Sequence, residues 1–131
     1  MRSIDLTNVT RIRGFSSFED TSSLTIKLNM PNLISLGAFS FNRSGITEIE
    51  DLGHITEIPG YNAASFSGCT NLTKVVLPTS CTKLGINCFL QCRNLTTIYP
   101  TDNLTTLEDC CLRTNGVISS ILNFKNVVNV D

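Results

Sequence analysis

The sequence predicts a solenoid of mainly short parallel β-strands, joined by turns and short 3-10 or helical segments, in about five to six turns. Three columns of apolar residues carry this prediction. Aliphatic residues recur at Leu24, Ile46, Leu72, Leu95 and Ile118, with spacings of 22, 26, 23 and 23 residues, within the range of solenoid repeats. Twelve residues beyond each lies another aliphatic, at Leu36, Ile58, Leu84, Leu107 and Val130. A bulky apolar residue precedes each first position, at Phe18, Phe39, Phe66, Phe89 and Leu112, six residues ahead in four cases and seven for Phe39.

The elements follow in chain order as one domain, 1–131. Residues 1–17 form a partial turn, in which Ile4, Leu6, Val9 and Ile12 match the back half of a unit. Five units then span 18–38, 39–65, 66–88, 89–111 and 112–131. The first has a shortened return (Leu36-Gly-Ala-Phe39) and the second a lengthened one, from Ile58-Pro-Gly to Phe66. Within a unit Leu72, Val75 and Leu77, then Cys81 and Leu84, are spaced by two to four residues, which suits extended pieces joined by bends. Pro31, Pro59, Pro78 and Pro100 end such pieces and would break helices laid across them. No turn can bury its own apolar side, so each must stack on its neighbours at roughly 4.8 Å strand spacing.

Composition agrees. Asn, Thr and Ser fill 42 of the 131 positions, a mixture suited to turns and strands rather than helices. With 41% hydrophobic and 16% charged residues the chain buries a core. A net charge of −1 is too weak a field to make nucleic acid or anionic lipid the main partner. No stretch approaches the length of a membrane span, so no membrane insertion is expected, and Met1–Asp20 lacks the apolar centre of a secretory signal.

The middle units are nearly one phrase written twice: Phe66-Ser-Gly-Cys-Thr-Asn-Leu-Thr-Lys-Val-Val-Leu-Pro78, then Phe89-Leu-Gln-Cys-Arg-Asn-Leu-Thr-Thr-Ile-Tyr-Pro100. The pattern F-x-x-C-x-N-L-T-x-[VI] followed by Pro resembles the BspA-like (treponemal-type) leucine-rich repeat family over about residues 18–131, most specifically in 63–112. The resemblance implies a leucine-rich repeat solenoid of the kind found on surface and secreted proteins of bacteria and some protists, where it serves adhesion.

Catalytic and metal chemistry find little footing. Cys69 and Cys92 share one column, Cys88 and Cys111 another, and Cys81 replaces an inward aliphatic, so reduced packing residues explain all but Cys110. Disulfides between Cys69 and Cys92 or Cys88 and Cys111 stay open, and so does metal, although no C-x-x-C occurs. His54, the single histidine, sits between Leu52 and Ile55 at a position directed away from the core. Glu48, Glu50 and Asp51 bring carboxylates together, but alternation puts Glu48 and Glu50 on one exposed face as a solvated patch. Sequons occur at Asn8, Asn42, Asn71, Asn94 and Asn103; for Asn71 and Asn94 a side-chain bond to the backbone of the bend is sufficient reason. No catalytic residue, metal ligand or cofactor is expected.

A partner would meet the strand face, where equivalent outward residues of successive turns form a continuous surface. If Val75 and Leu77 point inward, Lys74 and Val76 point out. The repeat then adds Lys27 and Asn29, Glu48 and Glu50, Thr97 and Tyr99, and Ser120 and Leu122. Exposed Val76, Tyr99 and Leu122 would make an apolar row able to bind protein, although Val and Tyr also suit an exposed strand for its own sake. The function expected is non-catalytic recognition or adhesion, with another protein or a cell-surface ligand as partner. The alternative is a structural subunit of a virion or fibre. In that case the apolar ends, with Ile118, Ile121, Phe124, Val127 and Val130 recurring every third residue, would associate with a further copy or another chain. An extracellular, surface or virion location follows from the resemblance alone.

Overall fold

Each turn of chain lays down two short strands, because apolar and polar residues alternate for only two to four positions before a bend. The computed structural model describes residues 4–13, 16–60, 64–100, 102–113, 120–121 and 126–130. The first strands of successive turns are β2 (Lys27–Asn29), β4 (Glu48–Asp51), β6 (Lys74–Val76), β8 (Thr97–Tyr99) and β10 (Ser120–Ile121). They stack in parallel as one five-stranded sheet in the order β10-β8-β6-β4-β2. The return strands are β1 (Arg11–Ile12), β3 (Ser35–Leu36), β5 (Glu57–Ile58), β7 (Lys83–Leu84), β9 (Thr106–Leu107) and β11 (Asn129–Val130). Of these, β11-β9-β7-β5 form a second parallel sheet, while β1 pairs with β3 alone, Ile12 opposite Leu36. Residues before Phe18 thus supply the back half of a further turn.

The core runs along the axis as columns. In the first sheet Leu28, Ile49, Val75 and Ile98 lie in register and are fully buried. Ile58, Leu84 and Leu107 line the second sheet, and Ile46, Leu72 and Leu95 lie fully buried between the sheets and the third side. Ile118 falls outside the described residues, and Val130, expected in the inward column, is 74% exposed.

On the third side the rings of Phe18, Phe41, Phe66 and Phe89 stack, with centroids 4.9, 5.5 and 5.5 Å apart and planes within 10°. Phe41, not Phe39, holds the column in the second unit. The backbone shows why: the N–H groups of Phe18, Phe41, Phe66 and Phe89 donate to Ser40, Ser65, Cys88 and Cys111, each the residue before the next ring position. In that register Phe39 falls two places early, at φ 53°, alongside Ser16, Asn87 and Cys110. A second positive-φ column follows the rings by two residues, at Asp20, Arg43, Gly68 and Gln91. Left-handed residues this frequent interrupt any helical hydrogen-bond pattern. Among the described residues this side is accordingly a series of turns, where the sequence suggested short helical segments.

Hydrogen bonds from side chains also join successive turns. The six cysteines are free thiols. Cys69 donates through Sγ to the Phe41 carbonyl at 3.0 Å and Cys92 to that of Phe66 at 3.1 Å, so the column acts as both packing and hydrogen bonding. Asn94 and Asn103 donate through Nδ2 to the carbonyls of Thr70 and Thr79 one turn earlier. Thr73 and Thr96 link by hydroxyl and N–H to the carbonyls of Thr47 and Thr73. Ion pairs clip the turns outside: Arg43 to Asp20 and Glu19, and Lys83 to Glu57 and Glu108.

The return sheet is split between β3 and β5. In the two later turns the residue following a return strand donates to the turn before it, Gly85 to Ile58 and Glu108 to Leu84, at 2.9 and 3.0 Å. In the second turn that residue is Pro59, which has no N–H to offer Leu36. A cleft of about 180 Å³ opens there beside Ile34, which is 54% exposed. Just past it the backbones of Gly60 and Gly85 close up so tightly that a Cβ on Gly60 would sit 1.9 Å from the Ile86 nitrogen, and the lengthened return rejoins the stack.

Candidate functional site

Two-residue periodicity within each first strand turns one residue in and the next out. Its register sets the outward residues in rows. Lys27, Glu48, Lys74, Thr97 and Ser120 face one another in successive strands, the last by its backbone pairing with Thr97. Val76 and Tyr99 form the next row. One correction concerns the first two turns: the register shifts between Leu28 and Asn29, so Asn29 pairs with Asp51 and Glu50 is the additional residue. Leu122 lies outside the described residues.

Side chains on this face are already partnered. Lys27 Nζ lies 3.2 Å from Glu48 and 3.7 Å from Glu50, so the supposed acidic patch is one lysine held between two carboxylates. Lys74 Nζ stands 5.5 Å from the centre of the Tyr99 ring, within cation–π range. Contact with the Tyr99 hydroxyl, reinforced by Glu48 and Glu50, raises the Lys74 pKa above the usual lysine value. Exposed ion pairs of this kind contribute little to stability. They set side chains of opposite charge beside one another across neighbouring strands.

The apolar row differs from expectation. Val76 and Tyr99 are half-buried rather than exposed, and Lys74 reaches over the Tyr99 ring from the neighbouring strand. Among the described residues the large apolar side chains open to solvent are Ile4, Ile34, Val128 and Val130. Beside the strand face, a groove of about 380 Å³ opens where the chain leaves β4 and β6, bordered by Glu50, Asp51, His54, Val76, Pro78 and Pro100. Its contribution from Asp51 was not legible in the repeat, since the register shift is what brings that residue into the row of Asn29.

His54 is exposed, and among the described residues no three His, Cys, Asp or Glu side chains gather to hold a metal. Burial pushes Cys81 and Cys111 up to about 11, leaving these thiols protonated and poor nucleophiles. No described helix is long and apolar enough to cross a membrane.

No curated protein and no solved structure matches the chain. A family profile described as BspA type leucine rich repeat region does match, in six copies over residues 1–119. Those copies take in the partial first turn as well as the ring column and the N-L-T bends, so the chain belongs to the BspA-type leucine-rich repeat family, whose repeats are typically non-catalytic interaction or surface modules.

Proposed function

We propose that the chain is a recognition module that binds a protein, at a cell surface or in the extracellular space, through the outward residues of its first sheet. The observation carrying this reading is the in-register array of Lys27, Glu48, Lys74 and Thr97 beside Val76 and Tyr99, in which an ion pair and a cation–π contact set charges of both signs next to an aromatic ring. A surface combining a half-buried aromatic with charges of both signs suits a protein partner better than a polyanion.

Its test is capture from a cell-surface extract by the immobilised chain, compared with Val76→Asp/Tyr99→Asp and with Lys83→Glu on the other sheet. A protein retained by the parent and the Lys83 variant but lost by the strand-face variant supports the reading. Equal retention by all three refutes it. A second reading, end-to-end assembly of copies, draws on Val128 and Val130, 77% and 74% exposed on and beside β11, the outermost strand of its sheet. A solution mass that grows with concentration by light scattering would favour it, and a mass constant at 14.3 kDa would exclude it.

A further inference from the structure

We infer that Asn8 and Asn71 are acceptor sites for N-linked glycans, while Asn42, Asn94 and Asn103, which carry the same sequence signal, serve the fold. The inference goes beyond strand-face recognition and rests only on the extracellular placement proposed with it.

All five asparagines begin an Asn-x-Ser/Thr triplet with no proline in the middle. The structure sorts them by the occupation of each side-chain amide. Asn42 is 9% exposed and donates through Nδ2 to Glu19 Oε1 at 2.9 Å, which leaves no room for a sugar. Asn94 and Asn103 tie turns together, donating through Nδ2 to the Thr70 and Thr79 carbonyls at 2.6 and 2.8 Å. In the column of Asn103, Asn32 and Asn126 bond likewise to Thr7 and Asp102. Such bonds account for asparagine at a bend without any glycan. Asn8 and Asn71 hold the equivalent places: Asn8 precedes Ile12 by four residues, as Asn103 precedes Leu107, and Asn71 precedes Leu72 as Asn94 precedes Leu95. Both are exposed on turns, and so are Thr10 and Thr73, the hydroxyl residues of their triplets. Among the described residues, however, neither amide meets an acceptor. For Asn71 the bend bond that the repeat suggests is therefore absent, and its sequence signal is left without a structural use.

The co-reactant is a lipid-diphosphate-linked oligosaccharide, delivered by a membrane-bound transferase. The bond from sugar C1 to the diphosphate oxygen breaks, a C1–Nδ2 bond forms, and the amide proton leaves with the lipid diphosphate. Transfer to a nascent chain precedes packing, so the fold acts by selection. A sugar on Asn42 cannot be buried, and one on Asn94 or Asn103 crowds a bond between turns, whereas Asn8 and Asn71 give up no contact.

The test carries the full chain into the secretory path of a eukaryotic cell behind a cleavable leader, because Met1–Asp20 lacks the apolar centre of one. The folded, secreted chain is treated with peptide N-glycosidase in heavy-oxygen water, which turns each glycan-bearing asparagine into a labelled aspartate. The expected map has its fullest label at Asn8 and Asn71, less at Asn94 and Asn103, and none at Asn42. Little label at Asn8 or Asn71, as much at Asn94 and Asn103, or any at Asn42 would overturn the inference. In the chain made without glycans, Asn94→Ala and Asn103→Ala should each lower the melting temperature by about 4 °C, the effect of one hydrogen bond, and Asn8→Ala and Asn71→Ala should leave it unchanged. Four equal shifts would overturn the division. The map is read without a partner, so failed capture beside the expected map refutes recognition alone, and the reverse refutes only the glycan sites.

Discussion

Two phenylalanines two residues apart compete for one place in the ring column, and truncating each should separate them cleanly. Phe41 is fully buried, 4.9 Å from Phe18 and 5.5 Å from Phe66 between ring centres. Phe41→Ala removes the ring from the middle of the stack and should cost about 4 kcal/mol, within the 3–5 kcal/mol of buried Phe truncations. Loss of the two ring contacts, about 0.5–1.5 kcal/mol each, places it in the upper half of that range. At roughly 4 °C per kcal/mol for a chain of this length, the melting temperature should fall by about 15 °C. Phe39 is only half-buried and sits at φ 53°, a conformation that costs a β-carbon residue of order 1 kcal/mol. Phe39→Ala should therefore cost about 1 kcal/mol, and Phe39→Gly should be close to neutral because relief of the backbone offsets lost contacts. Thermal unfolding followed by far-ultraviolet circular dichroism reads all three. A Phe39→Ala variant as unstable as Phe41→Ala would refute the assigned column and the register built on it.

Three other outcomes follow from the same geometry. At pH 8 the native chain should show fast reaction with a thiol reagent at Cys110 alone, the least buried cysteine, and all six thiols after unfolding without reductant; four or fewer would reveal a disulfide. Pro59→Ala should restore the missing donor, so that the amide introduced at position 59 exchanges at least about tenfold more slowly than an open amide; unprotected exchange would mean that the proline is not what splits the return sheet. The Arg43 guanidinium holds Asp20 below its usual 3.8, and hydrogen bonds from Ser16 and then Asn42 hold Glu19 below 4.5. Depressed carboxyl values stabilise the fold above those figures, and the effect is lost as pH falls through the lower folded values. Arg43→Ala should therefore flatten the fall in urea midpoint between pH 5 and pH 3, chiefly by releasing Asp20; an unchanged slope would contradict the pairing.

What the sequence made legible was what repeats identically. Lys27, Glu48, Lys74 and Thr97 could be aligned because the period fixes the turn and alternation fixes the face, and the strands place them so, with Ser120 in register by its backbone pairing with Thr97. Phe66 and Phe89 were legible for the same reason. Where units differ in length the period gives no answer. Phe39 looked acceptable at seven residues from Ile46, yet the backbone bond from Phe41 to Ser65 selects a residue only five away. The shift that pairs Asn29 with Asp51 likewise depends on how Met30 bonds to the next turn, which no residue pattern announces. Half-burial of Tyr99 depends in part on the reach of Lys74 over its ring from the neighbouring strand. Pro59 was visible as a strand terminator, but its effect on the sheet shows only against the equivalent donors Gly85 and Glu108.

Amide hydrogen exchange on the complex with a captured partner tests the central proposal most directly, because it reports which face is covered. Slowed exchange across residues 27–29, 48–51, 74–76 and 97–99, with 83–84 and 106–107 unchanged, is the predicted footprint. Protection confined to the return strands or to 126–130, with the first sheet unaffected, would contradict it.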